Sequence, residues 1–538
     1  MVWDKRTFLF QSPHRRTSDL QQELPEGISM TKPAEHTSTG APIAKRGVSS
    51  EEHTLTELVE IQRAAFLRDG IPDADTRIDR ITRLAALLLD HSDEIAAALT
   101  EDYGSRPREL SLAADVAGCM IDLTHQRRGV KEWMGETKYA KVQGLLGYKQ
   151  SVRHDPLGVV GIMGPWNFPL QLTIVPAGSA FAAGNRVILR PSSITARTTD
   201  VIAKYAPDYF SIEELAVATS KHGSGSDFAK LKVDHMFFTG SPEVGASVAQ
   251  EAAKNLIPVT LELGGKNPAV VDLDADIDKA AKMLADARLV NGGQVCLCPD
   301  YVFVPEAKLG EFTDKVVARW TEHFPTIYDN DQYTATINQK NFDRIVGLID
   351  DAVELGAEKR QVIPGGEPLP NAERRKIPPT LLTGVKAGMK IEEDEVFGPV
   401  LTVYPYRELS EVISHIASHP HPLTMYWCGD RNDRFEKLAD NTRSGSINGN
   451  DFAIHLFSGD LPFGGVGRSG MGGYHGKTGF ETFSHARAVA FSTLPLTVAE
   501  MMSPPFLAKD SKMTDQQLKL FKFFNSRAIK KVRKRLGA

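Results

Sequence analysis

The run PLGVVGIM, Pro156 to Met163, passes directly into GPWNFP, Gly164 to Pro169. An apolar, β-branched stretch of this length, stopped by glycine and proline, reads as a parallel strand buried on both faces. Parallel strands need crossovers. From Leu157 to Gly265 strand-like runs alternate with helical patterns, which predicts a doubly wound α/β sheet. Ligands of such sheets collect outside the carboxyl ends of the strands, so Trp166 and Asn167 should lie over a crevice, where an amide can donate to an oxyanion. As a lone hexapeptide, the same residues read equally well as a packed ring and a turn amide.

The flanks organise around that sheet. Leu58, Ile61 and Ala65, then Ile78, Ile81, Leu84, Leu87 and Leu88, follow helical spacing between Leu55 and Leu99 and predict amphipathic helices packed against it. Lys138 to His154 reads as a pair of strands around Gly144 or Gly147. A second α/β unit is expected from Lys266 to about Asn441. No internal repeat is visible.

Chemistry concentrates in LELGGK, Leu261 to Lys266, and NGGQVC, Asn291 to Cys296. A thiolate attacks electrophilic carbon far better than a thiol, so a nucleophilic cysteine needs a polarising setting, and Gly292 and Gly293 offer room for a substrate beside Cys296. Glu262 can take a proton from water if its pKa and reach suit the task. Either residue alone reads as inert: a buried thiol, a helix cap or a surface acid. Together they point to covalent catalysis followed by hydrolysis. Cys298 forms a CxC pair with Cys296, but without further Cys or His nearby it lacks the ligand count of a zinc site, so no metal is expected. Filling space is its expected role, ahead of a reversible disulfide with Cys296.

GPWNFP, FFTGS (Phe237 to Ser241), LELGGK, GQVC, EVFGPVL (Glu395 to Leu401) and LPFGGVGRSGMGGYHGKTGFETFSH (Leu461 to His485) stand in the order and spacing of the aldehyde dehydrogenase superfamily, which the chain resembles over roughly Ser50 to Leu494. The last motif and PHPLTMYW, Pro420 to Trp427, look more like the branch holding coniferyl-aldehyde and fatty-aldehyde dehydrogenases. The resemblance implies an α/β fold with a doubly wound dinucleotide-binding domain over 51–265, carrying an oligomerisation arm at about 137–154, and an α/β catalytic domain over 266–441. A return segment over 442–495 brings a strand back to the arm, between a disordered extension over 1–50 and a basic tail over 496–538. It also implies a homodimer or homotetramer.

In the implied mechanism the Cys296 thiolate attacks an aldehyde and the Asn167 amide and the Cys296 N–H hold the oxyanion. Hydride passes to a nicotinamide, and Glu262 activates the water that hydrolyses the thioester. An acylating relative using coenzyme A would be expected to lack a base at 262, and a non-catalytic binding protein to lose Cys296 or Glu262; this chain has both. The expected substrate is a hydrophobic aldehyde, coniferaldehyde or another phenylpropanoid or benzaldehyde-type compound ahead of fatty aldehydes.

NAD or NADP is the implied cofactor, yet no GxGxxG follows the strand at Val187 to Leu189. Instead FFTGSPEVG sets Ser241 and the backbone of Pro242 to Gly245 at a helix start, where free N–H groups and the positive dipole end can meet a pyrophosphate; a plain N-cap is the alternative. By resemblance Pro165, Trp166, Ser241, Val244, Leu263, Glu395 and Phe397 contact the dinucleotide, with Glu395 on the nicotinamide ribose. VILRPSS departs from the family, which has Lys and, three residues on, Glu; here these are Arg190 and Ser193. Losing a carboxylate and gaining a guanidinium eases a 2′-phosphate, which leans toward NADP. The alternative leaves Arg190 stacked on adenine or in solvent, with NAD in use.

A net charge of −5 argues against nucleic acid as a partner. Four scattered cysteines, Cys119, Cys296, Cys298 and Cys428, make no disulfide framework, and no apolar run approaches the roughly 20 residues that span a bilayer. The cytoplasm is the expected location. Met30 is an alternative start, and Arg6, Arg15 and Arg16 leave a transit peptide as a weaker reading. Lys519 to Leu536 is strongly basic, with Leu518, Phe521, Phe524, Ile529, Val532 and Leu536 near helical spacing. It reads as a membrane-surface helix or, preferred, as a helix docked over the enzyme's own apolar surface.

Overall fold

The computed structural model describes residues 48–139, 147–493, 497, 499–500 and 512–536. Three helices, Leu55–Asp69, Ala74–Asp90 and Ser92–Tyr103, open the body. Thr54 starts the first through a capping box with Glu57, and Asp73 caps the second. They bury Leu58, Ile81, Leu84, Leu87, Leu88, Ile95 and Leu99.

The first sheet runs, edge to edge, Gly470–Met471, Val259–Leu263, His235–Gly240, Val159–Met163, Arg186–Arg190 and Leu215–Val217. All its pairings are parallel except that of Gly470–Met471. Later strands add first to one side of Val159–Met163 and then to the other, so the doubly wound switch point lies between Val159–Met163 and His235–Gly240. The sheet is dry on both faces there: every residue of Val159–Met163 and Arg186–Arg190 is buried. The helix that follows GPWNFP, Gln171–Ala183, is buried from Leu172 onward.

The second sheet runs Glu358–Gln361, Thr380–Thr383, Val400–Tyr406, Pro299–Pro305, Asn267–Val271, Thr424–Cys428 and Ser446–Gly449, parallel apart from its first pair. Its last strand, Ser446–Gly449, lies beyond Asn441 and pairs with Thr424–Cys428. The sequence SING lacks apolar alternation; Asn448 secures the strand by donating to Thr424 Oγ1 at 2.9 Å.

The third sheet is small and antiparallel. Thr137–Tyr139 and Ser484–Ser492 flank Tyr148–Pro156, the longer pairing running from Ser484 opposite Pro156 to Ser492 opposite Tyr148. Gly144 lies outside the described residues, and Gly147 enters the central strand at φ +95°.

Residues 48–50, the last of the expected 1–50 extension, are among those described. The buried Ser50 hydroxyl accepts from the Val217 N–H at 3.0 Å and ties this segment to the first sheet; residues 1–47 lie outside the described residues. At the other end, helix Lys512–Arg535 forms but does not dock on the body: Leu518, Phe521, Phe524, Ile529, Val532 and Leu536 are 40–73% exposed. Lys519, Lys522, Arg527, Lys530 and Lys531 crowd its apolar stripe, and a dry contact would have to strip their hydration. No helix among the described residues is long and apolar enough to cross a membrane.

Candidate active site

The loop before Cys296 turns sharply. Asn291, Gly292 and Gly293 take φ of 51°, 62° and 76°, a left-handed run that glycine adopts cheaply. A Cβ on Gly293 would fall 2.1 Å from the Gly398 carbonyl and one on Gly292 2.9 Å from that of Thr334. The glycines therefore clear space for backbone packing, not for substrate as the sequence reading had it. Gln294 fastens the loop, donating to Asn291 O and Ala335 O and accepting from the Ile337 N–H. Asn267, at the start of its strand, donates to the carbonyls of Cys296 at 2.6 Å and Cys298 at 3.0 Å and accepts from the Thr424 N–H at 3.0 Å. Asn167 is buried and gives one amide hydrogen to Gln294 O at 3.2 Å.

Cys296 lies where two cavities meet. One is an apolar cavity of about 280 Å³, walled by Phe168, Leu172, Phe452, Phe457, Phe463 and Tyr474 among others. The other is a polar cleft of about 560 Å³ holding Asn167, Glu262, Leu263, Glu395 and Phe397. Burial, then the carboxylates of Glu395 and Glu262, push the Cys296 thiol well above its ordinary value. Glu262 is 2% exposed on Val259–Leu263, opposite Gly470, and neither carboxylate oxygen has a hydrogen-bond partner. Burial alone holds its carboxyl far above the usual range. Burial thus disfavours the charged form of both groups.

The cleft opens at the switch point. Pro165 and Trp166 line one side, Ser241 the other, and Trp166 meets Phe397 edge to face at 5.3 Å. Ser241 caps helix Pro242–Ala253. Glu395 is raised to about 8, by burial and then by Asp300, and a Cβ on Gly264 would fall 2.2 Å from its Oε2. Residues that sequence reasoning passed over also line the cleft: Thr239, whose buried hydroxyl has no partner, and the cations Lys266, Lys340, Arg344 and Arg468. An unpaired hydroxyl and a helix N-terminus along one cleft fit a dinucleotide pyrophosphate; of the cations, Lys266 is paired with Asp300, Arg468 with Glu243, and Arg344 donates to the carbonyls of Glu395 and Val396, while the Glu395 carboxyl already accepts from the Gly265 N–H.

Three expected contacts stand outside the lining of the cleft. Arg190 is 5% exposed and is not among the cleft's lining; its guanidinium donates to Ala218 O at 3.3 Å and Gly223 O at 2.8 Å. Two of its guanidinium hydrogens are thus taken by backbone carbonyls. Ser193 and Val244 are exposed outside that lining, Val244 at 50%. Cys298 is buried with its thiol toward Ala287 O. The three potential metal ligands that do come together among the described residues are Glu392, His415 and His419, with atoms within 4.8 Å of one another. Sequence reading missed this group; the i, i+4 spacing of its histidines is the signal.

The family model described as the aldehyde dehydrogenase family matches residues 25–489. A probable coniferyl aldehyde dehydrogenase of Caulobacter vibrioides is 41% identical over 466 residues, 85% of this chain and 96% of that protein. A dimeric NADP-preferring aldehyde dehydrogenase of Canis lupus familiaris is 32% identical over 85% of this chain and 98% of its own length. The substrate-bound state of Staphylococcus aureus AldH superposes with a TM-score of 0.79 at 29% identity, covering 87% of this chain and 99% of that one. Sequence likeness and backbone likeness thus span both large sheets together: the chain belongs to the aldehyde dehydrogenase family and is an NAD- or NADP-dependent oxidoreductase acting on aldehydes.

Proposed function

We propose that the chain oxidises a hydrophobic, aromatic aldehyde to its carboxylic acid through covalent intermediates on Cys296. The observation that carries this is the position of Cys296 at the junction of an apolar, ring-lined cavity and the polar cleft. The aldehyde enters the first. Cys296 Sγ, having lost its proton to solvent, bonds to the carbonyl carbon, and the second amide hydrogen of Asn167 with the Cys296 N–H receives the oxyanion. When bound, NAD or NADP supplies the hydride acceptor. Glu262 then takes a proton from water as the hydroxide adds to the thioester and the thiolate leaves, which releases the acid. The name of the Caulobacter vibrioides relative supports a coniferaldehyde-like substrate.

The test follows reduced nicotinamide when the protein meets coniferaldehyde, benzaldehyde, hexanal or a long-chain aldehyde with NAD or with NADP, beside Cys296→Ala. Turnover of the aromatic aldehydes that depends on Cys296 is expected; turnover of aliphatic aldehydes alone would overturn the substrate reading.

The protein assembles as a homo-oligomer through the three-stranded sheet. Ser484–Ser492 is largely exposed along its length, and a dimeric relative is named as such. The exposed basic helix Lys512–Arg535 rests on an anionic lipid surface, which its charge and apolar stripe favour. The location is cytoplasmic, which four free thiols support.

A further inference from the structure

The apolar cavity that ends on Cys296 has an acid in its wall. Asp122, on helix Gly118–Trp133, is 2% exposed and lines that cavity together with Phe168, Phe452, Phe463 and Tyr474. Its Oδ1 lies 3.1 Å from His475 Nδ1, yet neither atom has a hydrogen-bond partner of acceptable geometry. His475 is fixed. It holds φ +74°, its ring packs on Tyr474 at 4.5 Å and Phe463 at 5.3 Å, and a Cβ on the next residue, Gly476, would fall 2.0 Å from Gly459 O.

Besides Asp122, whose Oδ1 is turned to His475, the only amide or acid among the described residues of the cavity wall is Gln171, and a buried carboxylate there is costly unless something donates to it. A methylene chain offers no donor, whereas a hydroxyl on the substrate offers one. We propose that Asp122, steadied by His475, is the specificity-determining residue of the aldehyde site and accepts a hydrogen bond from a phenolic hydroxyl, so that the substrates are ring-hydroxylated aromatic aldehydes. This rests on reading the apolar cavity as the aldehyde site. The aromatic walls hold the ring, Cys296 takes the carbonyl carbon, and Asp122 accounts for the remaining polar group. The hydroxyl keeps its proton and no bond is broken at this end.

The test compares kcat/KM for 4-hydroxycinnamaldehyde and 3-hydroxycinnamaldehyde with that for cinnamaldehyde, in the full-length protein and in Asp122→Asn and Asp122→Ala. Hydrogen bonds to charged groups discriminate by roughly tenfold or more, so the unaltered protein is expected to prefer one hydroxylated aldehyde by at least that factor. In both variants the ratio is expected to collapse toward one, whatever happens to the absolute rates. A role confined to structure would lower all rates together and keep the ratio, which would overturn the proposal, as would the absence of any preference before substitution. Failure to turn over any of the three while hexanal is oxidised would instead remove the aromatic reading beneath it. Thermal melting of Asp122→Asn, which keeps the shape of the side chain, shows whether the fold survives.

Discussion

Asn267 donates its side-chain amide to the Cys296 carbonyl at 2.6 Å, so the first strand of the second sheet grips the backbone of the nucleophile. Replacing Asn267 by alanine frees two carbonyls and the Thr424 N–H in a buried setting. Each costs about 1–3 kcal/mol when left unpaired, and a marked drop in melting temperature is expected. In the fraction that folds, kcat should fall about tenfold or more while KM for the aldehyde moves less, because the thiol is misplaced and the cavity is not. Alkylation of Cys296 by iodoacetamide reads the same displacement without turnover; an unchanged kcat in folded protein would deny Asn267 this role.

Cys296→Ala should abolish oxidation. Glu262→Gln should allow a first burst of reduced nicotinamide and then stall, since the thioester forms but is not hydrolysed. Stopped-flow traces separate the two; steady full turnover by either variant would take its role away.

The reaction should be favoured by alkali. Both Cys296 and Glu262 hold their protons more tightly than in water, by burial first in each case, and catalysis needs each without its proton. kcat/KM is expected to climb as pH rises above neutrality, and alkylation of the resting enzyme to climb with it.

Stability carries the opposite sign. The Glu262 carboxyl is raised from 4.5 on folding, so its contribution is complete below the unfolded value and is lost as pH rises through the folded one. Glu262→Gln removes that loss, and its advantage in melting temperature over the parent should widen with pH. A gap that stays constant with pH would mean the carboxyl is not held protonated by burial.

Arg190→Ala should damage the fold rather than coenzyme choice. With Ala218 O and Gly223 O released, a loss of about 1–3 kcal/mol is expected, and the efficiencies with NAD and NADP should fall together. A loss confined to NADP would show that the guanidinium reaches a phosphate after all.

Deleting 512–538 should leave kcat in buffer unchanged and abolish cosedimentation with anionic vesicles. Basic residues near such a surface are worth about 1 kcal/mol each, so added salt should release the intact protein. Equal binding to zwitterionic vesicles would point to the apolar stripe alone.

The doubly wound sheet is legible in the sequence because apolar, β-branched runs such as Val159–Met163, stopped by glycine and proline, alternate with helical patterns from Leu157 to Gly265. Cys296 and Glu262 are legible as chemical types, but the meeting of two cavities at the thiol depends on side chains as distant as Phe168 and Phe463. Arg190 is legible as a cation at that strand end, but not the backbone carbonyls of Ala218 and Gly223 that its guanidinium meets, because they come from a loop about thirty residues on. Asp122 leaves a faint trace as an acid among Cys119, Leu123, Gln126 and Val130 on the buried face of one helix. Asn267 leaves almost none, since a lone amide after LELGGK reads as a turn.

All strands of the second sheet fall, in sequence, between Val259–Leu263 and Gly470–Met471 of the first. A ribosome therefore releases both the base and the nucleophile long before it releases the edge that flanks the base. Until Gly470 emerges, the strand bearing Glu262 presents an open edge, the kind of surface that chaperones shield and that pairs wrongly with other chains. A premature stop after Phe397 but before Gly470 would thus leave every reacting group encoded and yet yield an aggregation-prone polypeptide, because pairing across so long a stretch of sequence comes late in folding.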